Sequence, residues 1–418
     1  MCLQSEQMRR RTVEAEMAEP YPSREATEKA FADHVNRGKV EAFHSLGLDI
    51  VMGEREGARF ADAFSERWYW NCHSNGGVFN LGHRNPRVIA AVREAMDHLD
   101  VGNHHFVSGY RASLAEALGA TTGGRLPGVV FGVSGGEAID LSLKLARGRT
   151  GRRGIVSIEG GYHGHTGLAM AAGDPAYREP FGPNLPYFRQ VPWNDLGAMA
   201  AAVGDETAAV ILESIPATLG FPLPAPGYLH RVAELCRDRG ALLILDEVQT
   251  GLGRTGTVWY YQQEDVEPDM VVTGKGLSGG IYPITATLMT EDLHEFFDEH
   301  PFVHVSTFGG AELGCVAATA VLDIIGEPGF LERVAQLGER FEESFEGLPF
   351  ELRRRGMTMA FKFDQEAGGM FATAALLEQG IWALFANNDP TVLQFKPPLT
   401  ISDSEADEII AIVQQVLG

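Results

Sequence analysis

Three observations predict an α/β fold with a mostly parallel sheet covered by helices on both faces. From about residue 85 onward, short β-rich runs alternate with amphipathic helical stretches, as expected when crossover helices pack on a sheet. Several runs end at glycine-rich turns. Two others stop abruptly at a charged residue, Asp246 and Lys275.

Residues 1–70 form an N-terminal segment. It is polar and charge-rich to about residue 40, an arm expected to become helical near Arg24–Arg37. Residues 71–315 are assigned to a large domain. Its strands are read at Val129–Phe131, Ile155–Ile158, Ala209–Leu212, Leu242–Leu245 and Met270–Thr273. After Pro226, Leu229, Val232, Leu235 and Cys236 share one helical face, with Gly240 as terminator. Residues 316–418 form a smaller, helix-dominated α+β domain, with the segment around Asp49–Trp70 as its partner. Its strands are read at Leu352–Arg354, Thr358–Phe363 and Val392–Phe395. A capping-box pattern, Ser402-Asp403-Ser404-Glu405, announces the last helix.

The 418 residues are 44% hydrophobic and 22% charged, enough for a large core. No apolar run approaches a membrane span, and the N-terminus lacks an apolar secretory stretch. The four cysteines (Cys2, Cys72, Cys236, Cys315) are scattered, with no CxxC, zinc or disulfide spacing. A reducing cytoplasm is the expected location. A net charge of −22 argues against nucleic acid and anionic membrane as partners. It is compatible with attraction of cationic small molecules, although an acidic surface is first of all a solubility device.

In open parallel sheets, ligands sit outside the carboxyl ends of the strands. Ser134, Tyr162, Asp246 and Lys275 all follow predicted strands, so they can converge. Gly132-Val133-Ser134-Gly135-Gly136 is a strand-to-helix turn whose backbone N–H groups can approach a phosphate. In Gly160-Gly161-Tyr162-His163-Gly164-His165 the aromatic ring can stack on a planar ligand. The two histidines there have no third or fourth ligand at a metal-site spacing, and no metal is expected. Asp246 alone could be a turn residue, and Lys275 alone a surface lysine. Together and in order, a carboxylate and an amine at strand ends match what pyridoxal phosphate requires. The lysine forms the Schiff base, and the carboxylate keeps the pyridine nitrogen protonated. Ser306-Thr307-Phe308-Gly309-Gly310 offers a further hydroxyl for a phosphate.

Ordered motifs from about residue 45 to the C-terminus resemble the class III pyridoxal-phosphate aminotransferases. They are Asn80–Pro86, Ser134–Ala138, Tyr162-His163-Gly164, Leu245–Gly256 with Pro268–Lys275, Ser306–Gly310 and Phe395–Leu399. The resemblance implies a fold-type-I enzyme with a seven-stranded, mostly parallel sheet. It implies a homodimer with active sites at the interface, acting on a small-molecule amine donor and a carbonyl acceptor. Carried over, it makes Lys275 the Schiff-base lysine and proton shuttle, and Asp246 the partner of the ring nitrogen. Gln249 would neighbour the ring's 3-hydroxyl, with Val248 on one ring face and Tyr162 on the other. Ser134, Gly135 and Gly136 would hold the phosphate, joined by Thr307 of the second subunit. His163 and Glu213 would lie beside the cofactor.

Three departures bear on substrate. Gln394 stands where amino-acid-specific members carry an arginine that clamps the α-carboxylate, a bidentate geometry glutamine cannot reproduce. Thr218 stands where glutamate-using members carry the glutamate that gates that arginine. The lysine loop Gly279–Pro283 is similar to the putrescine-type branch. The expectation is a transaminase for a diamine, polyamine or amino sugar, in amine metabolism or aminoglycoside antibiotic biosynthesis. Lys396 is the candidate for any remaining carboxylate contact. A lyase, decarboxylase, epimerase or mutase on the same scaffold is the alternative.

Overall fold

The computed structural model describes residues 19–418; the start of the expected N-terminal arm, Cys2 included, lies outside the described residues. The chain divides into two compact units, residues 1–55 with 59–69, and residues 56–58 with 70–418.

In the first unit, helices Arg24–Phe31 and Arg37–Ser45 are joined by a π-helical stretch, Ala32–Asn36. The helical stretch thus runs past Arg37. Asp62 organises the unit: its carboxylate takes Arg24 Nη2 at 2.5 Å and the backbone N–H of Val51 at 3.1 Å.

The second unit contains a seven-stranded sheet. Its strands are β1 (Gly128–Gly132), β2 (Gly154–Ile158), β3 (Phe188–Val191), β4 (Thr207–Glu213), β5 (Leu242–Asp246), β6 (Met270–Thr273) and β7 (Thr285–Met289). Their order is β1-β7-β6-β5-β4-β2-β3. β3, β2, β4, β5 and β6 pair in parallel, and β7 runs antiparallel to both β6 and β1. Alternate residues serve opposite faces. Val210, Leu212, Leu243, Leu245 and Val271 join a core with Trp259, Tyr260 and Val321. Ile211, Ile244, Met270 and Val272 join another with Ile139 and Leu143. Each such buried aliphatic side chain contributes roughly 1.5–3 kcal/mol.

A four-stranded antiparallel sheet follows: β8 (Glu351–Arg355), β9 (Thr358–Lys362), β10 (Leu384–Ala386) and β11 (Asp389–Phe395), in the order β8-β9-β11-β10. Its core packs Phe361, Leu393 and Phe395 with Phe341, Ile409 and Val413. The expected boundary at residue 315 falls inside the helix Glu312–Ile325. The capping box at Ser402 forms, with Glu405 reaching back to the Ser402 N–H at 2.8 Å. Among the described residues no single helix is long and apolar enough to cross a membrane.

Candidate active site

Strand register builds the site. Glu213 and Asp246 end β4 and β5 as registered neighbours, and Asp246 lies opposite Val272 on β6. Beyond β6 the chain passes Gly274 and turns at Lys275, whose φ of 44° is left-handed. For a residue with a Cβ this conformation costs on the order of 1–2 kcal/mol. It aims the amine back over the strand ends, into a cavity of about 380 Å³. Ser134, Gly135, Gly136, Tyr162, His163, Glu213, Asp246, Val248 and Gln249 line that cavity with Lys275. Gly164, His165, Thr166, Ile215 and Thr250 complete the wall, and none of these was given a cofactor or substrate role from sequence.

At one end of the cavity is the N-terminus of the helix Gly135–Thr150, capped by the Ser134 side chain on the Glu137 N–H at 3.3 Å. A Cβ at Gly135 would meet nothing within 4 Å, whereas one at Gly136 would lie 2.8 Å from Thr166 Oγ1. Free backbone donors and the helix dipole make this end suited to a phosphate. At the other end, Asp246 Oδ1 accepts the Val248 N–H at 3.1 Å, and Oδ2 pairs with His163 Nδ1 at 2.9 Å. Burial disfavours a charged imidazole, yet the hydrogen bond and charge of Asp246 outweigh it, and the His163 pKa is raised. The sequence places His163 near the cofactor but gives no sign of this pairing.

Glu213 fixes the aromatic loop. Its Oε1 accepts the Tyr162 N–H at 3.0 Å and its Oε2 the Ala217 N–H at 3.1 Å. Burial raises its pKa, and Asp246 adds to that, while His163 and the two backbone donors lower it. Burial also lowers the Lys275 pKa, against the pull of Asp246 and Glu213. The amine is therefore easier to deprotonate, which suits a nucleophile and proton carrier.

The remaining candidates lie outside this lining. Thr307 is exposed on the Ser306–Gly310 segment and does not line the cavity of its own chain. Thr218 donates to the Gly160 carbonyl at 2.9 Å. Gln394 and Lys396 are buried, and the Lys396 amine donates to Gln394 Oε1 at 2.8 Å and to Gln249 Oε1 at 3.1 Å.

An amine, a carboxylate and a glycine-flanked helix N-terminus lining one cavity fit pyridoxal phosphate. Residues 44–417 match the class-III aminotransferase family. An uncharacterized aminotransferase of Archaeoglobus fulgidus is 49% identical over 395 residues, 91% of each chain. The structure is similar to ornithine aminotransferase from Toxoplasma gondii, in which pyridoxal phosphate partly occupies the active site. The TM-score is 0.87 at 28% identity, over 94% of each chain. It is also similar to taurine:2-oxoglutarate aminotransferase from Bifidobacterium kashiwanohense, solved with pyridoxal phosphate and glutamate. Here the TM-score is 0.81 at 25% identity, over 88% of this chain and 92% of that one. The chain therefore belongs to the class III aminotransferases, and its cofactor is pyridoxal phosphate.

Proposed function

We propose that this aminotransferase takes its amino group from a terminal amine, as on a diamine, polyamine or amino sugar, rather than from an ordinary α-amino acid. The observation that carries the reading is the engagement of Gln394. Its carbonyl is taken by Lys396, and no arginine is among the described residues lining the cavity. A charge-assisted hydrogen bond is worth roughly 1.5–3 kcal/mol. Amino acids held through an α-carboxylate clamp would thus bind about tenfold to a hundredfold worse here. The ornithine and taurine aminotransferases, both similar to this chain, are named for non-standard amine donors.

Bound pyridoxal phosphate supplies the electrophilic carbon and the electron sink. Lys275 would hold the cofactor and, with its pKa lowered by burial, would serve as the proton carrier. Asp246, steadied by Val248 N–H and His163, keeps the ring nitrogen protonated. Tyr162 and Val248, both lining the cavity, would flank the ring, and Gln249 would neighbour its 3-oxygen. The backbone of Gly135 and Gly136 holds the phosphate, with Thr307 supplied by a second copy of the chain. The Ser306–Gly310 segment contains exposed Phe308 and follows exposed Phe302 and Val305, apolar side chains that a homodimer interface would cover.

Half-reaction kinetics with putrescine, a 6′-amino aminoglycoside, ornithine, alanine and glutamate test the reading. The amines without an α-carboxylate clamp requirement should react fastest, with conversion of the cofactor to its amine form. A strong preference for alanine or glutamate that survives Lys396→Ala overturns the proposal.

A further inference from the structure

Lys396 is 1% exposed, and no carboxylate makes a hydrogen bond or ion pair with its amine among the described residues. Such an amine needs a reason to be there, because burial without a counter-charge is costly. Its backbone is fixed first. The Lys396 N–H reaches the Cys72 carbonyl at 2.5 Å, and its own carbonyl accepts Ser74 Oγ at 2.7 Å. The side chain then crosses the face of Phe221, with the amine 4.8 Å from the ring centre. It ends between two carboxamides, 3.1 Å from Gln249 Oε1 and 2.8 Å from Gln394 Oε1.

The direction of each hydrogen bond is set by chemistry. An ammonium has only donors, and a neutral amine still has two. Facing the ammonium, both carboxamides turn their oxygens to Lys396, and the two donors of the neutral amine are enough to keep the same two bonds. Gln394 is held in that sense from behind, its Nε2 donating to the Phe385 carbonyl at 3.4 Å. Gln249 has no second tether, and its Nε2 makes no hydrogen bond among the described residues. With Oε1 spoken for, the Gln249 group left to face the cavity is a pair of N–H donors. The Gln249 oxygen and the Lys275 chain share one neighbour. A Cβ at Gly76 would lie 3.5 Å from Gln249 Oε1 and 3.3 Å from Lys275 Cε.

We propose that Lys396 is a positioning residue for the cofactor ring: its amine clamps the Gln249 carboxamide so that Nε2, a donor, is presented to the ring's 3-oxygen. This rests on the reading that Gln249 faces that oxygen. Without the clamp a carboxamide can rotate by half a turn and offer its oxygen instead, replacing attraction by repulsion. The charged neighbours of Lys396 act in the same design. Burial, then Lys275 and Arg254, disfavour its positive charge, with Glu213 opposing them. The two hydrogen bonds survive loss of the third proton, so the clamp does not depend on the charge.

The test uses the resting holoenzyme without substrate. The measurement is the pH at which its visible absorption changes, taken for wild type, Lys396→Met, Gln249→Leu and the double variant. A donor on the 3-oxygen favours the deprotonated, more anionic form of the lysine-bound cofactor. Losing it should raise the transition by about one pH unit, the equivalent of one hydrogen bond to a charged group. Both single variants should show that rise, and the double variant no more than either alone. Cofactor content and melting temperature are measured alongside. A shift in Gln249→Leu with none in Lys396→Met, or shifts that add in the double variant, overturns the clamp and leaves the Gln249 reading intact. No shift in either single variant overturns both. If Lys396→Met does not fold, Gln394→Leu releases the other side of the clamp. It should raise the transition in the same direction by less, and an unchanged transition there, beside a shifted Gln249→Leu, also overturns the proposal.

Discussion

Asp246→Asn separates folding from chemistry at the proposed ring-nitrogen partner. The aspartate makes two contacts: Oδ1 accepts the Val248 N–H at 3.1 Å, and Oδ2 pairs with His163 Nδ1 at 2.9 Å. Asparagine can keep the first through its oxygen. It then presents an NH2 group to His163 Nδ1, which must become an acceptor. The imidazole proton moves to Nε2, and that atom is buried with no hydrogen-bond partner among the described residues. An unsatisfied buried donor costs about 1–3 kcal/mol, and that is the expected loss of stability. The catalytic loss is separate. A neutral amide does not hold the ring-nitrogen proton, and a barrier raised by ~3–4 kcal/mol lowers kcat by about 10²–10³. The pH dependence follows from His163, whose pKa is raised above its ordinary value of 6.5 in the fold. Its contribution to stability is fully present below about pH 6.5 and is lost as pH rises through the raised folded value. In Asp246→Asn that slope should reverse: burial then outweighs Glu213 and lowers the His163 pKa, so stability is lost as pH falls below about 6.5. Melting curves from pH 5.5 to 8.5 and single-turnover rates measure the two effects. Near wild-type turnover with cofactor bound, or an unchanged stability slope, refutes the reasoning.

Lys275→Ala should fold and bind cofactor only non-covalently; borohydride reduction followed by mass spectrometry should find no cofactor on the chain. Glu247→Gln puts an NH2 group among four donors to the buried carboxylate, the Tyr260 and Tyr261 N–H groups and the Ser214 and Thr250 hydroxyls. With one or two of them left unsatisfied at about 1–3 kcal/mol each, denaturant melting should show a loss of roughly 2–5 kcal/mol. Thr307→Ala should weaken cofactor affinity about fivefold to tenfold, as for one lost hydrogen bond. Mixed dimers of Thr307→Ala with Lys275→Ala should regain wild-type affinity in one site per dimer, measured by cofactor titration; no regain removes the shared-site proposal.

What the sequence could disclose depended on how local the cause was. β4, β5 and β6 were legible because burial on both faces makes them continuous apolar runs. Asp246 and Lys275 were legible because they interrupt such runs. β3 was not, since Phe188-Arg189-Gln190-Val191 is an edge strand in which Arg189 is exposed and only Val191 fully buried. β7 was not either, although all five residues are buried. Its threonines hide the pattern, and the fold satisfies two of their hydroxyls with the carbonyls of Ser134 and Ala138 at 3.3 and 3.2 Å. The His163–Asp246 pair joins residues 83 apart, and the Lys396–Gln249 contact residues 147 apart. Neither has a spacing to read; both exist only once strand order is known.

The buried charges next to the site show why the strand-end loop holds its shape. Glu247 and Arg254 are each 0% exposed, yet they do not pair with one another. Glu247 instead collects backbone and hydroxyl donors from Ser214, Thr250, Tyr260 and Tyr261, tying the start of the loop to its end. Arg254 donates to Asn80 Oδ1 and to the carbonyls of Met357 and Pro397, tying the loop's middle to three distant segments. Burial pulls its guanidinium down to about 9, still charged at neutral pH. Direct pairing would satisfy the two charges more economically, but it would leave those backbone groups without partners. Spent this way, the charges fix Val248 and Gln249 from both sides of one loop. Val248 N–H then meets Asp246, and Gln249 Oε1 meets Lys396, without either side chain having to be ordered by the cofactor.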